Sequence, residues 1–477
     1  MKIIGINETT HDAAMAVIED GEILFAGHAE RYSKQKNDWY NNDLILMDAL
    51  KHGSPDKVAY YEKSWLKKIR IARHSGFGGG RPYYKDTLLG GLPTINFTHH
   101  YSHAAAGYFT SSFVDAAIVV LDAIGEFETS TVWKGEGEKI TQVRRDKYPF
   151  SFGLFYSAFT QLVGLKPNEE EYIMMGMAAY GDKDRYYERV RSYFPIYYAQ
   201  EGNFHRGIQD WGEEVEGQAR FDLAAAVQQV FEDRLVEYIT MVKQTTGKKN
   251  LVFMGGCALN SKANTLLHGI FKNVWIMPNP GDAGSALGAA AALYGKHLNW
   301  TGPYLGTNIP GEYPVKKIVD ALINDKVAPV ASGRAEYGPR ALGNRSILAD
   351  PRDPDIKNKV NLIKKRELFR PFAPIVMEEY ATRWFDMDYY SPYMQYTPRC
   401  LKPWLIPSVV HADGTSRVQT VNKRQHPGLY EVLENWHAYS GVPVLLNTSL
   451  NIKGQPMLND QNDVLEWEAH YNTKIIS

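Results

Sequence analysis

The feature that most constrains the fold is a strand–turn–strand unit that occurs twice. Its first copy has apolar runs at 2–7, 13–18 and 23–27, with polar turns between them. Its second copy has apolar runs at 116–121 and 130–133, again separated by a polar turn. Short apolar runs bounded by polar turns are typical of β-strands. The repeat predicts an internally duplicated α/β protein in which turns from both copies line one cleft.

Two domains are expected, because 477 residues exceed what one hydrophobic core usually holds. A stretch rich in Pro and Gly at 300–314 separates them, and the predicted boundaries are 1–305 and 315–477. Within the first domain, apolar residues at helical spacing predict a helix over 221–246. A buried strand over 251–254 is predicted to follow it.

Composition excludes several classes of protein. Apolar residues make up 44% and charged residues 22%, a globular mixture that argues against disorder. Apolar stretches are too short to span a membrane, so no membrane partner is expected. Two cysteines, Cys257 and Cys400, cannot build a disulfide framework or a Cys-based zinc site, which fits the predicted cytoplasmic location. A net charge of −1 gives no strong overall attraction for nucleic acid.

Two histidines and two aspartates form the first candidate site. His99 and His103 follow Thr98, a common helix N-cap residue, and their spacing places both imidazoles on one helix face. That spacing suits a divalent metal, although such pairs are often ordinary surface or core residues. Asp122 ends a buried run, where a carboxylate is costly unless it binds something, and Asp282 is either a ligand or a helix N-cap. The four would suit iron, manganese or zinc.

Glycine turns form the second candidate site, for a nucleotide. Gly255 and Gly256 follow a predicted strand, and Asn260 comes just before a predicted helix. Gly281 and Gly284 flank the turn before an Ala-rich helix. Glycine lets a nucleotide approach the backbone, and a helix N-terminus favours phosphate, but ordinary tight turns use the same residues.

The order of these motifs resembles the O-carbamoyltransferases of the nodulation protein U and tobramycin carbamoyltransferase type. The residues that carry the resemblance are His11-Asp12-Ala13, His99, His103, Asp122, Gly255-Gly256, Asn260 and Gly281-Asp282-Ala283-Gly284. It implies an N-terminal domain similar to tRNA threonylcarbamoyl-transfer enzymes, in the actin/Hsp70/sugar-kinase superfamily. It also implies that both histidines and both aspartates hold a metal, with Fe²⁺ ahead of Mn²⁺ or Zn²⁺.

Four blocks in the C-terminal part carry cations among glycines and small polar residues, at 333–346, 364–374, 413–421 and 447–456. Arginine forks suit phosphate oxygens, and glycines let the backbone take part. A solvated helix face is the alternative for the second block, but prolines and aromatics interrupt it. Together the blocks are similar to the YrdC-like α/β domain of the same family, in which carbamoyl phosphate and ATP combine.

The resemblance implies an ATP-dependent reaction in two stages. The second domain would form carbamoyl-adenylate and pyrophosphate, with Mg²⁺ accompanying ATP, and the first would transfer the carbamoyl group to a hydroxylated acceptor. The residues expected to neutralise the phosphates are Arg340, Arg345, Lys364, Arg366, Arg370 and Arg417. Asn447 and Ser449 would orient the carbamoyl amide. His11 would be the general base, or alternatively a turn residue that caps its neighbours.

Two features qualify the resemblance. Ile173 stands where relatives commonly carry a lysine. The segment 62–86 mixes cations with aromatics, a pattern that can bind single-stranded nucleic acid, although an amphipathic helix with a solvated face is the alternative. The acceptor is therefore expected to be a sugar or antibiotic-type molecule, or a hydroxymethyl-pyrimidine in a nucleotide or DNA. A homodimer is a further expectation.

Three other functions compete with this hypothesis. A superfamily kinase would need ATP in the first cleft, but neither the histidine pair nor the Arg-rich second domain. A tRNA threonylcarbamoyl transferase shares the cleft but normally lacks the fused domain. A catalytically inert nucleotide-binding protein would have no need to keep every motif.

Overall fold

The computed structural model describes residues 1–9, 11–66, 69, 89–471 and 473–477. The described chain forms two compact units. Unit 1 comprises Met1–Ala26 and Trp39–Trp300, and unit 2 comprises Gly27–Asp38 and Thr301–Ser477. Unit 2 therefore includes a short N-terminal piece that the predicted boundaries assign to the first domain.

Most of the predicted basic and aromatic segment lies outside the described residues. The members outside them are Lys67, Lys68, Arg70, Arg73, Phe77, Arg81, Tyr83, Tyr84 and Lys85. Lys63 and Trp65 are described, and Trp65 is exposed. The hypothesis of nucleic-acid binding by this segment stays a prediction.

The described strands are β1 Lys2–Asn7, β2 Ala14–Glu19, β3 Glu22–His28, β4 Lys57–Tyr60, β5 Thr94–Asn96, β6 Asp115–Leu121, β7 Glu128–Glu136, β8 Lys139–Lys147, β9 Asn250–Met254, β10 Asn273–Trp275, β11 Tyr304–Ile309, β12 Val327–Ala331, β13 Gly333–Glu336, β14 Arg345–Ala349, β15 Ala373–Met377, β16 Gln419–Val421 and β17 Val444–Ser449. The described α-helices are α1 Glu30–Ser33, α2 Asp43–Leu50, α3 His99–Thr110, α4 Phe152–Leu162, α5 Glu171–Met177, α6 Tyr187–Tyr193, α7 Gln218–Thr246, α8 Ser261–Asn264, α9 Gly284–Tyr294, α10 Val315–Asn324, α11 Ile356–Ile363, α12 Ala381–Trp384, α13 Pro427–Ser440 and α14 Gln461–Tyr471.

Unit 1 contains two five-stranded sheets of the same topology, ordered β3-β2-β1-β4-β5 and β8-β7-β6-β9-β10. In each sheet the first strand in sequence, β1 or β6, pairs antiparallel with the next strand. On its other side the same strand pairs in parallel with β4 or β9. The predicted α/β duplication is confirmed, because the two copies share strand order and strand direction.

Helix α9 packs against β1, β2 and α3 in unit 1. Glycines permit this approach, because a Cβ at Gly5 would collide with Ala286 O and a Cβ at Gly288 would collide with Ser102 O. The Ala-rich sequence of α9 keeps its side chains small all round. This packing brings the turn before α9, which carries Asp282, next to the histidines of α3.

Unit 2 is built on a sheet of order β12-β14-β17-β15-β16, antiparallel except for the β15–β16 pair. Alternate residues of each central strand face two apolar clusters. Val444 and Leu446 belong to one cluster, and Leu445 belongs to the other, which also contains residues of α10 and α13. Both faces of the sheet are therefore covered, as the continuous apolar run of β17 requires.

The predicted elements of the middle region are confirmed with small changes of boundary. The helix expected over 221–246 is α7, and the strand expected over 251–254 is β9. The two units divide between Trp300 and Thr301, at the start of the stretch 300–314, and β11 occupies Tyr304–Ile309 within that stretch and pairs antiparallel with β13. Among the described residues, none of the helices has the length and apolar character needed to cross a membrane.

Candidate functional site

Four buried side chains converge in unit 1, and we call them the His–Asp cluster: His99, His103, Asp122 and Asp282. One ligand atom from each lies within 4.8 Å of the others. His99 Nε2 is 3.0 Å from Asp122 Oδ2 and 3.0 Å from His103 Nε2. His103 Nε2 is 3.3 Å from Asp282 Oδ1. The sequence predicts that these four residues form one site, and the structure places them side by side.

Helix α3 carries both histidines, and its start is held by a carboxylate. Thr98 occupies the predicted N-cap position, but its side chain makes no capping hydrogen bond. Instead, the backbone N–H of His99 donates to both carboxylate oxygens of Glu126, each at 3.2 Å. Glu126 also accepts from the backbone N–H of Lys63 at 2.8 Å. A negative charge at a helix N-terminus is stabilising, so Glu126 fixes the first turn of α3.

Backbone groups fix the two aspartates. Asp122 Oδ1 accepts from the N–H of Ala123 at 2.9 Å and of Gly256 at 3.3 Å, which leaves Oδ2 for the histidines. The alternative of Asp282 as a helix N-cap is not what the structure shows, because Ala283 occupies the N-cap of α9 without a side-chain cap. Asn7 Nδ2 donates to the carbonyl of Asp282 at 2.9 Å.

Opposite charges stabilise each other within the cluster. Burial opposes ionisation of Asp122, but hydrogen bonds from His103 and His99 outweigh it and hold the pKa of Asp122 well below its usual range. Burial likewise disfavours protonated His99, yet the carboxylates of Asp282 and Asp122 raise the pKa of that imidazole well above its usual value. Two Nε2 atoms and two carboxylate oxygens thus point at one small volume, and their lone pairs need protons or a cation between them. This donor set fits a divalent transition metal.

His11 lies near these acids but differs from them in its environment. Its Nδ1 is 2.9 Å from Asp12 Oδ2, and its side chain is 37% exposed. Burial works against the charged ring, but the hydrogen bond to Asp12, with Asp282 and Asp122, raises the pKa of His11 to about 10. An imidazolium has no lone pair for a proton, so His11 can act as a base only when this pKa is lowered.

The predicted nucleotide turn is a tight structural turn. Gly255 has φ +92°, and a Cβ there would collide with Leu121 O. A Cβ at Gly284 would collide with Asn279 O, whereas one at Gly281 would make only an ordinary van der Waals contact, 3.8 Å from Leu259 Cδ1. Gly255, Gly256 and Gly284 therefore serve close packing, which neither requires nor excludes a nucleotide nearby.

Asn260 is committed to neighbouring protein groups. Its Oδ1 caps α8 by accepting from Ala263 N–H at 3.1 Å. Its amide also exchanges two hydrogen bonds with Gln228, at 3.0 and 3.1 Å. Oδ1 thus accepts two hydrogen bonds and Nδ2 donates one within the protein, and the predicted contact between the Asn260 side chain and a nucleotide stays a prediction.

Five of the six predicted phosphate ligands in unit 2 act electrostatically on one another. We call them, with Lys36, the cation cluster: Lys36, Arg340, Lys364, Arg366, Arg370 and Arg417. Burial, then Arg340 and Arg366, lowers the pKa of Arg417 well below its usual range. Its Nε atom is buried without a hydrogen-bond partner among the described residues. Like charges gathered in this way favour an anionic ligand.

Arg345 is the sixth predicted phosphate ligand, and its geometry argues against that role. The side chain is fully buried, and all five of its N–H groups face backbone carbonyls at 2.8–3.2 Å. These carbonyls belong to Thr307, Ser332, Gly333, Asn344 and Asn459. Arg345 therefore has no N–H left for a phosphate and holds the loops around β14 together.

Lys364 is buried and also engaged by protein. Its Nζ donates to Ser449 O and to Ser449 Oγ, the latter at 3.2 Å. It also lies 2.7 Å from Asn451 Oδ1 and 3.0 Å from Asn451 O. Burial, with Arg366 and Arg370, lowers the pKa of Lys364 well below its usual range. Lys364 thus belongs to the cation cluster, but its Nζ donates to Ser449 and Asn451, at and just after the end of β17.

Asn447 and Ser449 lie two residues apart on β17, so both side chains face the same side of the sheet. Asn447 is 1% exposed and donates from Nδ2 to Ala341 O and Gln419 Oε1. Among the described residues its Oδ1 has no hydrogen-bond partner. A buried carbonyl oxygen without a partner is costly, so this atom suits a ligand that donates.

Several buried polar residues that no sequence motif indicated support these sites: Asn7, Glu126, Glu336 and Gln419. Asn7 is the last residue of a buried strand, and Glu126 lies in the polar turn after another. A polar residue at or just after the end of a buried strand was therefore the sequence signal that could have indicated them. Glu336 and Gln419 fall inside the blocks 333–346 and 413–421, but only their tertiary contacts show that they differ in role from the residues around them.

Family models match both parts of the chain. Residues 88–291 match the model described as the carbamoyltransferase N-terminus, and residues 319–476 match the carbamoyltransferase C-terminus. A protein of Synechocystis sp. described as uncharacterized protein sll1178 is 31% identical over 97% of this chain and 93% of its own length. The chain belongs to the carbamoyltransferase family. It is an enzyme of carbamoyl transfer, and the resemblance seen in the motifs is confirmed.

Other relatives of this carbamoyltransferase carry nodulation names. Nodulation protein NolO of Bradyrhizobium diazoefficiens is 30% identical over 77% of this chain and 75% of its own length. Nodulation protein U of Rhizobium tropici is 29% identical over 98% of this chain and 94% of its own length. Among solved structures, component A of Acidaminococcus fermentans (R)-2-hydroxyglutaryl-CoA dehydratase has a TM-score of 0.37 at 13% identity, covering 61% of this chain and 97% of that one.

Proposed function

We propose that this carbamoyltransferase forms carbamoyl-adenylate from carbamoyl phosphate and ATP in unit 2. Unit 1 then transfers the carbamoyl group to an acceptor hydroxyl. The observation that carries the proposal is the presence in one chain of a cation cluster and a separate His–Asp cluster. Two sites of opposite electrostatic character fit two chemical stages better than a single displacement.

The stoichiometry defines what unit 2 would have to bind. Carbamoyl phosphate loses its phosphate to water, and the carbamate oxygen attacks the α-phosphorus of ATP, which releases pyrophosphate. One water is consumed, and one phosphate and one pyrophosphate are released for each carbamoyl-adenylate. Every species in this sequence except water is an anion, and Mg²⁺ would accompany ATP. Arg340, Arg366, Arg370 and Arg417 supply charge for these anions, while Lys364 and Arg345 hold the surrounding backbone.

In unit 1, both histidines and both aspartates of the His–Asp cluster would hold a divalent metal, with Fe²⁺ preferred to Mn²⁺ or Zn²⁺. Such an ion would polarise the carbonyl or phosphate of the intermediate as a Lewis acid. Glu126 and Asn7 keep the ligand-bearing turns in place, by their contacts to His99 N–H and to Asp282 O.

His11 is proposed to take the proton of the acceptor hydroxyl. Two of the groups that raise its pKa, Asp122 and Asp282, belong to the His–Asp cluster. A cation bound by those carboxylates would offset their effect on His11, which would favour the neutral imidazole that a base requires.

The acceptor is proposed to be a hydroxylated sugar or antibiotic-type molecule, with a hydroxymethyl-pyrimidine nucleotide or DNA as the second candidate. The basic and aromatic segment that favours the second candidate lies mostly outside the described residues. Salt-dependent DNA binding that Ala substitutions at Lys67, Lys68 and Arg70 abolish would support the second candidate.

One assay tests the proposed function without an acceptor. Protein, carbamoyl phosphate, ATP and Mg²⁺ are mixed, and pyrophosphate, phosphate and ADP are measured with and without carbamoyl phosphate. We expect pyrophosphate that depends on carbamoyl phosphate, and equal amounts of phosphate. Release of ADP without pyrophosphate would support a superfamily kinase and would overturn the proposal.

A further inference from the structure

A chain of buried amides lies beside Asn447 in unit 2. Asn447 Nδ2 donates to Ala341 O at 3.1 Å and to Gln419 Oε1 at 2.6 Å. Gln419 Nε2 in turn donates to Leu342 O at 3.0 Å. Gln419 and Asn447 are each 1% exposed. Both N–H groups of the Asn447 amide are therefore used inside the protein.

Two backbone carbonyls decide which way these amides point. If the Gln419 amide were reversed, its Oε1 would face Leu342 O, and two acceptors would meet. If the Asn447 amide were reversed, its Oδ1 would face both Ala341 O and Gln419 Oε1. Asn447 Oδ1 must therefore turn away from all three groups, and it has no partner among the described residues.

The carbonyls themselves are held by buried groups. Glu336 Oε1 accepts from the backbone N–H of Leu342 at 2.7 Å and of Asn344 at 2.9 Å. Tyr304 Oη donates to Leu342 O at 3.0 Å. The loop that presents Leu342 O to Gln419 is thus fixed from both sides of the peptide.

Asn447 also lies where an anionic ligand is expected. Along one side of β17, Leu445 packs in an apolar cluster, and Asn447 and Ser449 follow it at alternate positions. Ser449 is held by Lys364, a member of the cation cluster. Asn447 thus lies on the same side of β17 as Ser449, which contacts Lys364 of the cation cluster.

We propose that Gln419 is a positioning residue that turns Asn447 Oδ1 toward bound carbamoyl phosphate, where this oxygen accepts a hydrogen bond from the carbamoyl NH₂. The proposal rests on the proposed function of unit 2. A carbamoyl NH₂ donates, whereas the methyl group of acetyl phosphate, which has nearly the same shape, cannot. Gln419 therefore controls the choice between these two acyl phosphates through Asn447.

Calorimetry with the full chain tests this inference. The dissociation constants of carbamoyl phosphate and acetyl phosphate are measured for the parent, Gln419→Met, Asn447→Leu and the double variant. We expect the parent to prefer carbamoyl phosphate by about 10-fold or more, because a buried acceptor left unpaired is penalised. Asn447→Leu should remove the preference, and Gln419→Met should reduce it by about 5-fold, the worth of one hydrogen bond.

Two comparisons separate positioning from general damage. The double variant should have the same selectivity as Asn447→Leu, since Gln419 acts through Asn447. Gln419→Leu also removes the acceptor for Asn447 Nδ2 and should reduce the preference by the same amount, and it serves if Gln419→Met does not fold. Equal weakening of both acyl phosphates in Gln419→Met, or an unchanged ratio, would overturn the inference.

Failure of the proposed function gives a different result. A parent enzyme that binds carbamoyl phosphate selectively but releases no pyrophosphate contradicts adenylate formation and leaves the role of Gln419 intact. A parent enzyme that releases pyrophosphate but does not distinguish the two acyl phosphates in binding contradicts the role of Gln419 alone.

Discussion

The His–Asp cluster of unit 1 sets carboxylates against imidazoles, whereas the cation cluster of unit 2 gathers like charges. In unit 1, the pKa of Asp122 is lowered and that of His99 is raised, each by its neighbours. In unit 2, the pKa values of Lys364 and Arg417 are both lowered, by burial and by neighbouring cations. The first arrangement is suited to a cation between ligands, and the second to an anion among donors. Both clusters are buried, but the charges of the neighbouring side chains differ, so one cluster suits a cationic ligand and the other an anionic ligand.

The largest effect is expected from removing one ligand of the His–Asp cluster. In His103→Ala, one of the four converging ligand atoms is lost, so carbamoyl transfer should fall by about 1,000-fold, the equivalent of several kcal/mol of Lewis-acid stabilisation. Pyrophosphate release that depends on carbamoyl phosphate should continue, because the cation cluster is unchanged. Acceptor carbamoylation by mass spectrometry, pyrophosphate release and bound metal content are measured together.

His437→Ala is the matched control for this variant, since His437 lies in unit 2 and contacts Tyr380 rather than either cluster. It should keep both activities. Parental transfer rates in His103→Ala, even after metal is stripped, would show that the His–Asp cluster does not serve the transfer stage.

Two arginines of unit 2 should respond in opposite ways. Arg417→Ala removes a charge that its neighbours oppose, so we expect KM for carbamoyl phosphate or ATP to rise by about 10–100-fold without loss of thermal stability. Arg345→Ala leaves several buried carbonyls without donors and should cost about 3 kcal/mol or more of unfolding free energy. Steady-state kinetics and denaturant unfolding distinguish the two. A stable Arg345→Ala variant with raised KM would restore the phosphate role predicted from the motif.

Acid pH should destabilise unit 2 through His426. This ring is 8% exposed, accepts from Leu429 N–H at 3.0 Å and lies 2.8 Å from Asn344 Oδ1, and burial lowers its pKa from 6.5 to about 4. The unfolded chain binds a proton between these values and the folded chain does not, so stability is complete above pH 6.5 and falls toward pH 4. The loss should reach about 3 kcal/mol.

Unfolding by denaturant at several pH values between 4 and 7 measures this loss. His426→Gln cannot titrate and should flatten the profile in that window, although it will lower stability at neutral pH. A parental slope that persists in His426→Gln would assign the acid sensitivity to other groups.

The smallest effect is expected at the start of α3. Glu126→Gln keeps an oxygen for the N–H groups of His99 and Lys63 but loses the negative charge at the helix N-terminus. We expect a loss of about 1 kcal/mol in the stability of unit 1 and weaker metal binding. Thermal unfolding and metal titration measure the two, and no change in either would show that Thr98 and solvent suffice.

Local patterns determined the elements and the family of this protein. The apolar runs of β1, β2, β6 and β9 and the periodicity of α7 predicted their positions, because strand and helix periods follow from backbone geometry. The spacing of His99 and His103, with Asp122 at a strand end and Asp282 in a glycine turn, predicted the His–Asp cluster, since spacing within one helix turn is a local property. Repetition of the strand unit predicted the duplicated sheets.

Only the tertiary structure decided which charged residues are available to a ligand. Arg340, Arg345 and Arg417 occur in similar sequence motifs. In the structure, six contacts to backbone carbonyls occupy the N–H groups of Arg345, whereas Arg417 Nε has no hydrogen-bond partner among the described residues. The orientation of the Asn447 amide likewise depends on Gln419 and the loop at Leu342, which are distant in sequence. Residue type alone determines which hydrogen-bond donors and acceptors a side chain has. Folding brings distant chain segments together, and the contacts formed there determine which of those donors and acceptors are left to bind a substrate.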